Sequence, residues 1–260
     1  MSLLDPAERT ARGVERQNAL LDAPAPTPGT LMEESWRDYV FAEVWARPAL
    51  DLRARYLISL ASAANVGDAA ATERYARGAL ANGELTLAEL REAALHVGVY
   101  SGWSFGTVLD EAVTRAATAL GLPPVTTPPI RAEPWDPVVR HQEGMDNFQA
   151  VMVFGGPKPQ TAYFEGGILN FVFGEMWMRP GLDQRARRWL TLVGVSNASA
   201  STPIRSHVWS AMASGNASWE EMYEFVLQYA VHAGWPRASV VQGAVIEQGK
   251  RVAEGLSFAP

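Results

Sequence analysis

Two histidines of this chain fall on apolar helix faces, and 132 residues before each of them stands a tyrosine. His207 lies in "SHVWSAMASG" (206–215), which overlies "RYARGALANG" (74–83) and so pairs with Tyr75. His232 lies in "EMYEFVLQYAVHAG" (221–234), which overlies "ELREAALHVGVYSG" (89–102) and so pairs with Tyr100. Ile204, His207, Val208, Ala211 and Met212 form one apolar stripe at helical spacing, and Met222, Phe225, Val226, Tyr229 and His232 form another. Both rings are therefore expected to point inward. Imidazole is the side chain suited to moving protons near neutral pH, so His207 and His232 are the candidate acid–base pair. The plainer reading, a hydrogen-bonded core histidine, stays open for each. His96 falls off the apolar stripe of its helix and His141 lies near a proline-rich stretch, so both are expected to be exposed.

Other side chains offer binding chemistry. Arg179, in a loop, is suited to holding a carboxylate in bidentate fashion, although a structural ion pair with a glutamate is the alternative. The hydroxyls and amides of "NASASTPIRSH" (197–207), Ser206 among them, suit either a polar pocket wall or a turn. Trp177, Trp209 and Trp235 would give flat walls for a ring-shaped ligand, or plain core. His207 and His232 can be grouped with Glu175 or Glu224, but no metal-ligand spacing accompanies them, so no metal is expected. No Gly-rich phosphate loop follows a strand, and the reading calls for no cofactor.

The elements that must carry these residues come twice. "FAEVWARPALDLRAR" (41–55) overlies "FGEMWMRPGLDQRAR" (173–187), and about a third of positions 41–113 equal their partners without a gap. Two halves, 1–120 and 138–260, are joined by the proline-rich linker 121–137, "GLPPVTTPPIRAEPWDP", whose prolines deny it helix. Thr86 with Glu89 and Ser218 with Glu221 read as capping boxes. Asp51 and Asp183 read as N-caps, and Gly83 and Gly215 as helix ends. Alternating β-branched runs are nearly absent, so the fold class is all-α.

The chain has 260 residues, 48% hydrophobic and 19% charged, which suits a soluble protein with a substantial core. A net charge of −6 argues against nucleic acid or an anionic membrane as partner. No apolar run approaches the roughly 18 residues of a membrane span, and the charged start "MSLLDPAERTARGVERQNALL" lacks a signal-peptide core. A cytoplasmic protein is expected.

The segments "WMRPGLDQRAR" (177–187), "SHVWSAMASGNASWEE" (206–221) and "HAGWP" (232–236), with their counterparts in the first half, resemble the carboxymuconolactone decarboxylase family, which also includes the alkylhydroperoxidase D-like proteins. The resemblance implies two tandem helical repeats forming a pseudo-dimer, and a homo-oligomer, a trimer of pseudo-dimers, as the assembly. The peroxidase branch uses a Cys-x-x-Cys pair and a glutamate relay. This chain has no cysteine, and Tyr56 and Arg188 stand at the relay position. Without a thiolate the thiol peroxidase reaction has no nucleophile. The resemblance then implies a cofactor-independent step on a small carboxylated or lactone ring: decarboxylation, or a related lyase, isomerase or hydrolase reaction. Arg179 would anchor an acidic group, Ser206 or Tyr229 polarise the carbonyl, and His207 donate the proton with help from His232. Two rivals stand beside it: a site in the first half built from Tyr75, Tyr100 and His96, and a non-catalytic helical scaffold or ligand-binding protein.

Overall fold

The computed structural model describes residues 4–130 and 136–259; Arg131–Trp135 of the expected linker lie outside the described residues. Among the described residues every regular element is helical. The order is α1 (Pro6–Leu21), α2 (Leu31–Ser35) running into a π-helix (Trp36–Val44), α3 (Leu52–Asn65), α4 (Ala69–Ala81), α5 (Leu87–Ser101) and α6 (Trp103–Ala119). After an extended stretch come α7 (Pro137–Met152), a second π-helix (Tyr163–Met176), α8 (Gln184–Asn197), α9 (Ser201–Ala213), α10 (Trp219–Ala233) and α11 (Trp235–Ala253). From α3 and α8 onward the helix starts recur at the 132-residue spacing of the sequence match.

Local chemistry accounts for the boundaries. Asp51 and Asp183 accept from the amides of Ala54 and Ala186, at 2.7 and 2.8 Å, and start α3 and α8. Both capping boxes form: Thr86 with Glu89 opens α5, and Ser218 with Glu221 opens α10. Gly83 and Gly215 take the left-handed conformation (φ 69° and 73°) that lets the chain leave α4 and α9. Each π-helix closes on a tryptophan, through i→i+5 bonds from Trp45 N–H to Val40 O and from Trp177 N–H to Val172 O, both 3.0 Å.

The core lies where α3 and α8 cross. Every residue from Ala54 to Ala64 and from Ala186 to Ser196 is buried, so these two helices are covered on all sides. They pack against each other, α5 packs on α8 and α10 packs on α3. One hydrophobic cluster thus draws on both halves of the chain. Within it sit charges that burial would forbid if unpaired. Arg187 of α8 reaches Glu92 of α5 at 3.4 Å, and Glu92 also holds Arg179 at 2.6 and 2.9 Å. Arg55 of α3 reaches Glu224 of α10 at 3.0 Å, and Glu224 also holds Arg47 at 2.7 and 2.8 Å. The rim repeats the exchange: Arg53 binds Asp183 at 2.9 Å, and Arg185 binds Asp51 at 2.7 Å.

Removing one partner of a buried ion pair leaves the other charge stranded. Glu92→Gln is expected to lower unfolding stability by about 3–5 kcal/mol. Arg205→Ala, which deletes a solvent-facing pair with Glu247, is expected to stay within about 0.5 kcal/mol of the parent. Urea midpoints at unchanged m-value measure both. Equal losses in the two variants would remove the buried pair from any special role.

Candidate functional site

His207 opens onto a cavity of about 530 Å³. The helix α5 of the first half contributes Tyr100 to its wall, and α9 contributes Ser206 and His207. The second π-helix and α7 supply Phe173 and Phe148, and the segment after α7 supplies Phe154. The lining is mostly apolar; its ionisable side chains are His207, Tyr100 and Tyr163, and the rings of the first two meet edge to face with centroids 5.5 Å apart. Buried His207 Nδ1 has no hydrogen-bond partner. Burial, and then the charge of Arg188, lower the His207 pKa to about 3, so the ring is neutral at pH 7.

A hydrogen-bonded chain runs beneath this wall. Arg187 Nη1 approaches His96 Nδ1 at 3.5 Å, and His96 Nε2 lies 2.8 Å from Thr191 Oγ1. A guanidinium can donate but not accept, which makes His96 Nδ1 the acceptor and places the ring proton on Nε2, toward Thr191. Burial first, then Arg187, hold His96 well below the usual histidine range and so neutral. Thr191 bonds Tyr100 in turn, and Trp177 Nε1 donates to the Tyr100 oxygen at 2.7 Å. Burial pushes the Tyr100 hydroxyl up to about 12 against the opposing pull of Trp177, so the phenol keeps its proton. The chain's product is a protonated phenol at the wall of an apolar cavity, beside a neutral imidazole.

Several expectations need correcting against this geometry. The structure does not bring His207 and His232 together. His232 packs on Trp36 and Tyr75 (centroids 5.5 and 5.7 Å), with its Nε2 3.3 Å from the Tyr75 hydroxyl. Each histidine thus faces the tyrosine of the opposite half. Trp36 and Tyr75 line a second cavity of about 300 Å³, closed by the prolines between α1 and α2. Burial lowers the His232 pKa to about 4. Arg179 has no donor directed into the large cavity: beyond Glu92 it binds the carbonyls of Pro128, Pro129 and Ile130 at 2.9, 2.7 and 3.2 Å. Its structural alternative is the one observed. His96, expected to be exposed, is 1% exposed. Helix α5 has a second buried face, packed on α8, which a stripe drawn for one half does not reveal. His141 is half-buried.

Of the remaining candidates, Ser206 lines the cavity with its hydroxyl donating to Pro203 O at 3.2 Å. Trp177 lies under the wall, stacked on Phe173 at 6.1 Å. Tyr229 is fully buried against Asn197 (3.0 Å), away from the cavity lining. Trp235 is 57% exposed and leans on Tyr39, away from the lining of the large cavity. Trp209 packs on Phe154 and Phe258 behind the cavity. Among the described residues no cluster of three or more histidines or carboxylates is arranged around a metal-sized gap. Nor is any helix among them long and apolar enough to cross a membrane.

Residues 31–105 match the carboxymuconolactone decarboxylase family. The chain is 27% identical over 97 residues to the 4-carboxymuconolactone decarboxylase of Acinetobacter baylyi, a match spanning 37% of this chain and 69% of that protein. It is 39% identical over 89 residues to a nitrosuccinic acid decarboxylase of Metarhizium robertsii, spanning 33% of this chain and 58% of the relative. Over part of its length the chain is therefore homologous to this family. The family match stops before His207 but includes Tyr100, which lines the same cavity, and His96, which packs on Tyr100 beneath the wall.

The neutral histidines make a testable acid response. The unfolded chain protonates each near pH 6.5, whereas the fold keeps His207 and His232 neutral to about 3 and about 4. Their contribution is complete above pH 6.5 and is lost as pH falls from there toward those depressed values. Each has a slope of at most about 1.4 kcal/mol per pH unit. His207→Phe is expected to lose stability less steeply than the parent between pH 6 and 4.5, by about that slope. Urea unfolding across this range measures it, and parallel curves would contradict a neutral buried His207.

Proposed function

We propose that this protein is a cofactor-independent acid–base enzyme of the carboxymuconolactone decarboxylase type, acting on a small carboxylated or lactone-bearing compound in the large cavity. The observation that carries the reading is the pairing of neutral His207 with protonated Tyr100 on the wall of a mostly apolar space of about 530 Å³. A scaffold protein would need no such space, whereas a concave apolar site with a few convergent polar groups is what ligand binding requires. The reading takes the two halves as tandem repeats, 1–120 and 138–260, forming a pseudo-dimer in which the first half supplies Tyr100 and the second supplies His207. Assembly as a trimer of such chains belongs to the same proposal. Trp103 and Trp235, both exposed at corresponding positions, support a further interface.

The relatives' names set the chemistry to be tried. One decarboxylates a carboxylated lactone and the other a nitro acid, two compounds that join a carboxylate to an electron-withdrawing group. Loss of CO2 leaves an electron pair that such a group accepts as an enolate or nitronate, and carbon then takes a proton: RCO2⁻ and H⁺ become RH and CO2. In the cavity the Tyr100 hydroxyl donates to the developing oxyanion, an interaction strengthened by the dry walls. His207 returns the proton to carbon. A free His207 is too weak a base to hold that proton at pH 7, but an anionic ligand beside it opposes the field of Arg188 and raises its proton affinity. The proton is taken up with the substrate and leaves with the product. His232 belongs to the Tyr75 cluster and takes no part at this site.

Assays of CO2 release from 4-carboxymuconolactone and nitrosuccinate test the reading. His207→Asn is expected to lower kcat by about 10²- to 10⁴-fold, and Tyr100→Phe by about 10²- to 10³-fold. Tyr75→Phe, in the other cluster, is expected to stay within a few-fold. Turnover within a few-fold of wild type in His207→Asn overturns the assignment.

A further inference from the structure

Arg188 is a buried charge that the fold does not need. It is fully buried on α8 and keeps its charge at pH 7, although burial pulls its pKa down to about 10. Its neighbour Arg187 has Glu92; among the described residues no carboxylate pairs with Arg188. Its contacts are the Val151 carbonyl at 2.6 Å, the Asn216 side-chain oxygen at 3.5 Å, Met152 Sδ at 4.0 Å and the face of Trp177 at 5.1 Å, while Nε has no partner. An uncompensated guanidinium in such a place costs several kcal/mol.

The other half of the chain supplies an internal control. The position 132 residues earlier is Tyr56, also fully buried, whose hydroxyl donates to the Leu20 carbonyl at 2.6 Å. Leu20 is in the last turn of α1, as Val151 is in the last turn of α7. Tying that turn to the central helix therefore requires a hydrogen-bond donor, not a charge. The charge is found in the half with the larger cavity. Met152, which Arg188 touches, lines that cavity. Trp177, on whose face it lies, is stacked on cavity-lining Phe173 and bonded to Tyr100.

We infer that Arg188 is the counter-charge for an anionic head group of the cavity's ligand, selecting a small organic carboxylate with an apolar body over its neutral isostere. The inference rests on the cavity being the ligand site of the proposed enzyme. Arg188 acts across Trp177 and Tyr100 rather than by touching the reacting atoms, so it is a positioning and selectivity residue. The groups that share its field are Tyr100 and His96 from α5, His207 from α9 and Arg187 on its own helix. Any ligand anion at the wall is balanced by this set, in which Arg187 is already paired.

Benzoate and benzamide, equal in size and differing in charge, are the probes. Calorimetric titration of the full chain is expected to show benzoate binding tighter by about tenfold or more, the preference narrowing to within about threefold in Arg188→Met. Arg188→Tyr, which installs the residue found at position 56, serves as the second variant should Arg188→Met not fold, with the same expectation. Arg188→Lys is expected to retain part of the preference. The His207 ring followed by NMR is expected to titrate at higher pH in Arg188→Tyr than in the parent, which checks that the Arg188 charge reaches the cavity wall; an unshifted titration would also overturn the inference. Equal affinities for the two probes in the wild-type protein overturn the inference, as does a preference that survives both neutral variants. Failure of the decarboxylase reading looks different: benzoate selectivity persists and depends on Arg188 while neither acid substrate releases CO2.

Discussion

Two carboxylates, Glu92 and Glu224, each clamp a pair of arginines from the opposite half of the chain, and the geometry of the molecule follows from that exchange. Arg55 and Arg187 lie on the two helices buried on every side, where an unpaired guanidinium is costly. Each can be neutralised only if α5 of one half and α10 of the other slide to one register. Glu92, His96 and Tyr100 stand four residues apart on α5, so the register that seats Glu92 on Arg187 also seats His96 on Thr191 and Tyr100 beside His207. The ion pair contributes specificity of placement more than net stability, since two desolvated charges recover little beyond their own cost. Charge burial, and not the apolar contacts alone, therefore ties the cavity to the core.

The helical class and the helix boundaries were legible because they are set locally. Asp51, Asp183, Thr86, Ser218, Gly83 and Gly215 act within one turn of their own position, and all behave as local rules require. The site was legible in half. A stripe at helical spacing places His207 inward correctly, although α9 is buried on every side from Ser206 to Met212, so the stripe does not say which neighbour the ring faces. The same argument misjudges His96, because α5 packs on two neighbours and its second face, bearing Glu92, His96 and Tyr100, is polar. Nothing in one half's periodicity announces a partner helix from the other half. Arg179 misled for a related reason: its loop position suggests availability, yet its carboxylate and carbonyl partners come from residues about fifty and ninety positions away. From sequence, Tyr56 and Arg188 stand out only as the residues at the resembled family's relay position, and the meaning of their difference needs the burial of both.

The exchange between halves also changes what the tyrosine-to-histidine differences mean. Aligned along the chain, His207 replaces Tyr75 and His232 replaces Tyr100, which suggests one half enriched in imidazole. In space each histidine packs on a tyrosine of the other half, Tyr100 with His207 and Tyr75 with His232, at centroid separations of 5.5 and 5.7 Å. Each pair joins one phenol to one imidazole, and Tyr100 has a second imidazole, His96, beneath it. Their ring chemistry is alike, and the differences lie around the rings. His207 Nδ1 is unpartnered and the ring borders the larger cavity, whereas His232 bonds the Tyr75 hydroxyl behind a smaller one. Beneath His207 lies the charge of Arg188, and at the corresponding place near Tyr75 lies the neutral phenol of Tyr56. Two like ring pairs thus sit in different electrostatic fields, with Arg188 against Tyr56 as one source of the difference. On the proposed reading of the chain as two joined repeats this is permitted, because a substitution on one copy need not appear on the other. In a symmetric dimer both copies would carry the same residue, so the two places could not differ.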